Sequence, residues 1–341
     1  MDALPRQGVR VSSPPARRRV RRFPMKVIDH LRQAKATMLS FEILPPLKGK
    51  DIRSIYEGID PLMEFKPSFI NVTYHREEVI YKERGHGLLQ KVRVRKRPGT
   101  VGICAMIKAK YNIDSVPHLI CGGFSKEDTE DALIELNFLG IDNVLALRGD
   151  AIKSEPQFFP ERDGHQHAED LIQQIAGLNK GKYLHEEEEE AAPTDLCVGA
   201  ACYPEKHPEA LNLDTDIAYL KRKVEAGAEY LVTQMFFDNT KYFAFVDRCR
   251  AEGITVPIIP GLKPLTTRKH IAFIPKTFHL DLPVAFSNEL AKCHTDGDVK
   301  QVGIEWSILQ ARELKAGRVP CLHFYTMGRS EAVRAIVAAV V

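Results

Sequence analysis

Residues 38–46, MLSFEILPP, hold a glutamate inside an apolar run, with a Pro-Pro pair directly after it. A carboxyl kept out of water can give or take a proton, whereas the same group at a solvated strand end does no chemistry. Alternation bears on the choice. Side chains along a strand point to opposite faces in turn, so Leu39, Phe41 and Ile43 share one face while Ser40 and Glu42 share the other. The same count on FINVTY (69–74) groups Ile70 with Val72 and turns Asn71 and Thr73 the other way. In VLALRGD (144–150), Arg148 and Asp150 share a parity across Gly149, at the strand's C-terminal edge. Such a pair can meet a ligand or be a simple ion pair. In YLVTQMF (230–236), parity leaves open whether Val232, Gln234 and Phe236 or Leu231, Thr233 and Met235 face inward. The RGD tripeptide ends a strand, not an exposed hairpin tip, so a cell-adhesion role is discarded.

Eight β-rich apolar runs are available to position these groups: 38–44, 69–74, 116–121, 143–148, 197–203, 230–236, 256–261 and 321–326. Helical patterns separate nearly all of them. SKEDTEDALIELNFLG (125–140) has a Ser cap, acids in its first turn and a closing Gly, and DTDIAYLKRKVEAG (214–227) follows the same logic. This alternation predicts an α/β fold, a single-domain TIM (β/α)8 barrel with extra helices; a doubly wound open sheet is the competitor. A Gly-rich phosphate loop after the first strand would favour the open sheet, and EILPPLKG is not one. In a barrel the apolar faces pack on helices, which turns Glu42, Asn71 and Thr73 into the lumen near the C-terminal rim, where this fold gathers its active sites. Two stretches stand outside the repeat: 105–115, read as an insertion preceded by an extra strand at TVGIC, and 185–195, an acidic low-complexity loop read as solvated surface.

The net charge of +3 on 341 residues is unevenly spread. Residues 1–24 carry seven arginines and one aspartate, leaving −3 for residues 25–341. The leader lacks apolar periodicity and reads as disordered; it resembles a transit peptide or a nucleic-acid arm, but Met25, directly before a helical pattern, reads better as the natural start. The acidic body argues against a nucleic-acid-binding protein. The seven cysteines form no C-x-x-C pair, so neither a disulfide framework nor a metal site is expected. No apolar run is long enough to cross a membrane and no secretory signal is present, so the expected location is the cytoplasm.

In order along the chain, SFEILPP, NVTY, PHLIC, ALRGD, YPEKHPEA, LKRKVEAGAEYLVTQMFFD, IIPGLKP and HFYTMGR resemble the methylenetetrahydrofolate reductase family, bacterial type, over about residues 26–341. The resemblance implies a TIM barrel that binds FAD and reduces 5,10-methylenetetrahydrofolate to 5-methyltetrahydrofolate with NADH or NADPH, supplying methyl groups for methionine synthesis. It implies a small-molecule folate substrate and a homo-oligomer, with no nucleic-acid or membrane partner. Motif by motif, Glu42 resembles the family's catalytic acid. Thr73, Tyr74, His118, Arg148, Gly149 and Asp150 resemble flavin contacts, as do Ala168, Tyr203, His207, Asp216, Arg222 and Lys223. Gln234, His270, Tyr325 and Arg329 match positions that hold the folate. A pyrophosphate calls for cations, which Arg222 and Lys223 supply, although LKRK also fits a solvated helix face. Tyr219 departs from the family, with a ring where bacterial members carry a smaller amide, and the segment around His270 and Phe273 aligns loosely.

The resemblance also implies a mechanism. The folate's bridging methylene accepts hydride only after its five-membered ring opens, which needs a proton on the leaving nitrogen, and Glu42 is the expected general acid. A free glutamic acid is ionised at neutral pH, so burial and the carboxylate of Asp150 are expected to raise its pKa, while Asp150 tunes the flavin and stabilises cationic folate intermediates. NAD(P)H and folate are expected to use the site in turn. Because the chain ends at Val341, the S-adenosylmethionine control of the eukaryotic type is expected to be absent. The rival enzyme reading is another flavin-dependent TIM-barrel oxidoreductase of the proline dehydrogenase kind.

Overall fold

The structure, a computed structural model, describes residues 25–152, 154–185 and 191–341. The Arg-rich leader (1–24) and the five glutamates of the acidic loop (186–190) lie outside the described residues. The strands in chain order are β1 (Met38–Ile43), β2 (Phe69–Val72), β3 (Glu78–Arg84), β4 (Leu88–Val94), β5 (Asp114–Ile120), β6 (Asn143–Leu147), β7 (Cys197–Cys202), β8 (Tyr230–Thr233), β9 (Ile258–Ile259), β10 (Gly261–Leu262) and β11 (Cys321–Tyr325). All except β3 and β4 form one parallel sheet in the order β10-β11-β1-β2-β5-β6-β7-β8-β9. β9 and β10 are two halves of one barrel strand split at Pro260, which has no N–H to give a ladder. With β9 on β8 and β10 on β11, the sheet closes into the expected eight-position barrel.

Alternation sorts the core into two layers. Phe41, Ile43, Ile70, Val72, Val144 and Leu231 pack outward against the helices. Phe69, Val116, Leu145, Cys197, Tyr230, Val232, Ile259 and Cys321 fill the lumen, joined by Val27 and Ile28 of the helix Val27–Gln33. That helix is tied to the barrel by a 2.7 Å contact between His30 Nε2 and Asp114 Oδ2 and by Val27 N–H donating to Asn143 Oδ1 at 2.6 Å. Six of the seven cysteines are buried. The helix Lys126–Phe138 starts at the expected Ser125 cap with a reciprocal bond to Asp128, and the helix Leu213–Ala226 ends at Gly227 with φ +130°. Among the described residues no helix is long and apolar enough to cross a membrane.

Two readings need correction. TVGIC is not a strand and 105–115 is not an insertion: residues 100–111 form the helix that links β2 and β5 within the repeat, and the remainder reaches into β5. Its buried residues Thr100, Ile103, Cys104 and Ile107 follow the i, i+3, i+4, i+7 spacing of a helix face, which β-branched residues disguised. The true excursion is the antiparallel hairpin of β3 and β4, paired from Glu78 with Val94 to Arg84 with Leu88. Its turn places His86 and Gly87 at φ +65° and +73°. Its strands are rich in charge, so no apolar alternation marked them.

Candidate active site

The C-terminal ends of β1, β2, β5 and β11 bring four polar side chains together in the lumen. Glu42, only 8% exposed, accepts a 2.9 Å hydrogen bond at Oε1 from the Thr73 hydroxyl. Its Oε2 lies 3.5 Å from His118 Nε2 and 3.7 Å from His323 Nε2. His323 is held at Nδ1 by Ser40 Oγ at 2.9 Å, and His118 Nε2 is 3.3 Å from Asn71 Nδ2. Among the described residues Asn71 Oδ1 has no partner and His323 Nε2 none within hydrogen-bond distance, although both are buried. Every residue of this cluster sits at a lumenal parity position, as alternation requires.

The electrostatics of Glu42 differ from the expectation. Burial pushes its pKa up, but the His118 imidazole, the His323 side chain and the Thr73 hydroxyl together hold it below the usual carboxylate value. Asp150 is not among the largest influences on Glu42. It lies exposed at the rim, where its charge reaches Arg148 and Tyr203 instead. His118 is pushed down to about 4 by burial, against the attraction of Glu42. At neutral pH the cluster is therefore a carboxylate beside a neutral imidazole.

β8 resolves the open parity: Val232 is lumenal and Leu231 faces the helices, so Gln234 belongs to the lumenal set. Gln234 Oε1 accepts from the Met235 N–H at 2.9 Å, and Thr233 Oγ1 accepts from the Gly261 N–H at 2.9 Å. Tyr325 donates its hydroxyl to the Thr233 carbonyl at 2.6 Å. His270 accepts at Nδ1 from the Thr266 N–H at 3.2 Å, and the Arg329 charge acts on it from an exposed turn after β11. Phe273, on the same helix as His270, is exposed.

A second group gathers on the rim beyond β6 and β7. Arg148 makes a bidentate pair with Glu209 at 2.5 and 2.6 Å and stacks over Phe158, 5.0 Å from its ring centre. Tyr203 and His207 meet edge to face at 4.7 Å, and the His207 N–H donates to Asp216 Oδ2 at 2.9 Å. Lys223 Nζ donates to the Ala201 carbonyl at 3.0 Å and lies 6.0 Å from the Tyr203 ring centre. Burial lowers the Lys223 pKa, against the pull of Asp216. Arg222 turns away, pairing with Glu169 at 3.1 Å and lying over the exposed Tyr219 ring. Gly149 takes φ +83°, and Ala168 opens the helix Ala168–Leu178. Tyr74 stands apart from both groups. It lines a cleft with Ile55, Arg95, Thr100 and Phe124, with its ring 5.1 Å from Phe124.

Sequence reasoning missed two lumenal groups. His323 lies two residues before Tyr325 in CLHFYT, so the parity that serves one serves the other. Lys263 follows β10 by one residue and shares the parity of Gly261; the intervening Pro260 obscured that strand. Among the described residues no cluster of three or more metal-ligating side chains occurs.

A sequence profile described as methylenetetrahydrofolate reductase matches residues 26–340. The chain belongs to the methylenetetrahydrofolate reductase family. It is 30% identical over 318 residues to methylenetetrahydrofolate reductase 1 of Schizosaccharomyces pombe, covering 92% of this chain and 48% of that protein. It is 31% identical over 299 residues to the 5,10-methylenetetrahydrofolate reductase of Salmonella typhimurium, covering 87% and 88%. The chain thus spans about half the length of the fungal relatives and most of the bacterial one. In fold it is similar to a Clostridium thermocellum protein described as binding two copies of 5-methyl-5,6,7,8-tetrahydrofolic acid, with a TM-score of 0.56, 14% identity and coverage of 92% and 96%. In this chain the carboxylate cluster of Glu42 and the rim residues Arg148 and Lys223 are carried by the strands and helices of one barrel.

Proposed function

We propose that this chain reduces 5,10-methylenetetrahydrofolate to 5-methyltetrahydrofolate, using FAD and a nicotinamide co-substrate, NADH or NADPH. The observation that carries this reading is Glu42: a buried carboxylate at the lumenal mouth, hydrogen-bonded by Thr73, in a chain of this family. Relatives named as NADH and as NADPH enzymes both match, and neither donor is favoured over the other.

The rim residues fit a dinucleotide. A pyrophosphate needs cations, and Arg148 and Lys223 supply them beside the aromatic pair Tyr203 and His207. Gly149, with φ +83°, leaves backbone N–H groups open to close approach, and Asp216 orients the His207 segment. In this reading Arg148, Gly149, Ala168, Tyr203, His207, Asp216 and Lys223 hold the cofactor, with Arg222, Thr73, Tyr74 and His118 further contacts inferred from the family. When bound, FAD supplies the hydride relay between nicotinamide and folate.

The remaining chemistry falls to the chain. Gln234 can donate and accept at once, which suits a pterin edge, and Tyr325, His270 and Arg329 are the further folate contacts inferred from the family. Glu42 holds the proton for the folate nitrogen that leaves as the ring opens. It is ionised in the ligand-free protein, so it must gain a proton as ligands close the mouth and strip away its remaining water. Asp150, on the rim, adds negative potential where cationic folate intermediates form.

The test uses the purified full chain. A yellow protein that NADH bleaches without oxygen, and that methylenetetrahydrofolate recolours, is the expected result. A flavin that proline reduces and methylenetetrahydrofolate leaves unchanged would favour a proline dehydrogenase-like enzyme.

A further inference from the structure

If Glu42 enters each turnover ionised, some group must hand it a proton. Resting on the proposed folate reduction, the position of Lys263 identifies that group. In the register of the barrel Glu42 lies opposite Tyr325, and Gly261 lies opposite His323. Two residues further along the same register, Lys263 comes level with Tyr325 and hence with Glu42. Leu262 packs outward and Gly261 lies against the Tyr325 ring, so alternation sets Lys263 on the lumenal side. Only β11 intervenes, so the backbones that carry Lys263 and Glu42 are about 10 Å apart. That is a gap two converging side chains can close with a rotation of the lysine stem or one shared water.

The other groups that face Glu42 come from β5, β11 and the end of β2. From β5, His118 is neutral at pH 7, pushed down to about 4 by burial. From β11, Tyr325 is held well above its ordinary value by burial and spends its hydroxyl proton on the Thr233 carbonyl, while His323 is held at Nδ1 by Ser40 and turns Nε2 towards Glu42 at 3.7 Å. From the end of β2, Thr73 donates to Glu42 as an alcohol, and the exposed His75 is lowered by partial burial and by the Arg97 charge against the attraction of Glu42 and Asp150. From the helix Arg268–Phe278, His270 is lowered by burial and bonded to the Thr266 N–H; Lys269 and Arg329 lie exposed beyond it. Lys263 is half-buried and makes no hydrogen bond or ion pair to another described residue. Burial pushes its ammonium down to about 8, against the attraction of Glu42, so it is protonated at neutral pH yet poised to release.

We propose that Lys263 is the proton source for Glu42: when ligand closes the barrel mouth, an N–H bond of the ammonium breaks and an O–H bond forms on the carboxylate. Both charges vanish together, leaving an amine and a carboxylic acid, and the net charge of the site does not change. Removing water favours this exchange, because low polarity destabilises two separated charges more than two neutral groups. Glu42 then gives the proton to the leaving nitrogen of the folate, and water reprotonates Lys263 when the mouth reopens. Lys263 acts through Glu42 and not on the substrate.

The experiment compares wild type, Lys263→Met and Lys263→Arg as full chains loaded with FAD. The rate of flavin reoxidation by methylenetetrahydrofolate is followed from pH 6 to 9, with bleaching by NADH as the control. Wild type should lose rate above a break near pH 8. Both variants should be slowed about tenfold or more at pH 7, lose that break and recover towards pH 6, where solvent protonates Glu42 directly. Bleaching by NADH should stay within about twofold of wild type. Proton uptake on binding 5-methyltetrahydrofolate, read with an indicator dye at pH 7, gives a second measure: near zero for wild type and towards one proton for Lys263→Met. Unchanged pH profiles, full rescue by Lys263→Arg, or wild-type proton uptake equal to that of Lys263→Met would each overturn the inference while leaving folate reduction intact. A wild type that does not react with the folate at all would instead sink the function on which the inference rests.

Discussion

The Thr73 hydroxyl donates to Glu42 Oε1 at 2.9 Å while the Thr73 backbone N–H is fixed to the Ile43 carbonyl at 3.1 Å. A strand-end ladder bond thus aims a side-chain donor at the buried carboxylate. Hydrogen bonds to charged groups contribute about 1.5–3 kcal/mol. Thr73→Val should lower stability at pH 7 by about that much, and Thr73→Ser should restore most of it. Glu42 is depressed in the folded protein, so the stability it contributes is present above its unfolded value and lost as pH falls through its folded value. The gap between Thr73→Val and wild type should therefore close in acid. Urea unfolding at pH 7 and pH 3.5 measures both ends, and a gap independent of pH would break the link to Glu42.

Glu42→Gln keeps the shape and removes the proton. Bleaching by NADH should survive, and flavin reoxidation by methylenetetrahydrofolate should slow by about a hundred- to ten-thousand-fold. Stopped-flow absorbance separates the two half-reactions, and equal survival of both would remove Glu42 from its role.

His118 is buried neutral, with its folded value at about 4 against an ordinary 6.5. The unfolded chain binds that proton first, so stability should fall as pH drops from 6.5 towards 4, by an amount on the order of 3 kcal/mol. Replacing it, as His118→Gln, should flatten this part of the stability curve. Denaturant midpoints at pH 7, 6 and 5 for the two proteins check the slope.

Much of this site was legible because a barrel strand has only two faces. Parity alone turned Glu42, Asn71 and Thr73 inward, and the structure places all three in one cluster. What parity cannot give is charge balance. The expected partner of Glu42 was Asp150, which the family resemblance sets at the same site, but the groups that touch the carboxylate come from the opposite flanks of β1, namely β2, β5 and β11. Adjacent motif residues also diverge: Arg222 and Lys223 sit on different faces of one helix, so only the lysine turns towards Tyr203. The hairpin of β3 and β4 escaped notice because its exposed strands carry charges where a buried strand carries an apolar stripe.

Arg148 holds a bidentate carboxylate, Glu209, in the fork geometry by which a guanidinium also binds phosphate. In the proposed reading, a dinucleotide bound there exchanges one anion for another. Arg148→Gln should weaken FAD about tenfold or more, whereas Glu209→Gln, which frees the guanidinium, should hold it as tightly as wild type or more so. Fluorescence titration of the apoprotein with FAD distinguishes them. Equal weakening by both substitutions would show that Arg148 acts as part of a structural pair.

Gly261 ties the shape of the mouth to the break in its strand. A Cβ built at this position would stand 2.4 Å from the Thr233 carbonyl oxygen and 2.6 Å from the Tyr325 ring. The Gly261 N–H is also spent on Thr233 Oγ1, so the backbone cannot slide away without losing that bond. Gly261→Ala must push either β8 or Tyr325, and overpacking of this kind costs about 1–3 kcal/mol. The ring is the softer of the two, and it lies level with Glu42. A displaced ring would narrow the opening proposed for the folate, so the variant should show a raised KM for methylenetetrahydrofolate with bleaching by NADH nearly unchanged. Gly102→Ala, in a helix where an added Cβ meets nothing within 4 Å, is the control and should leave both unaltered. A Gly261→Ala protein as stable as wild type, with its KM unmoved, would mean that the strand relaxes around the methyl group and that Tyr325 does not set the width of the mouth.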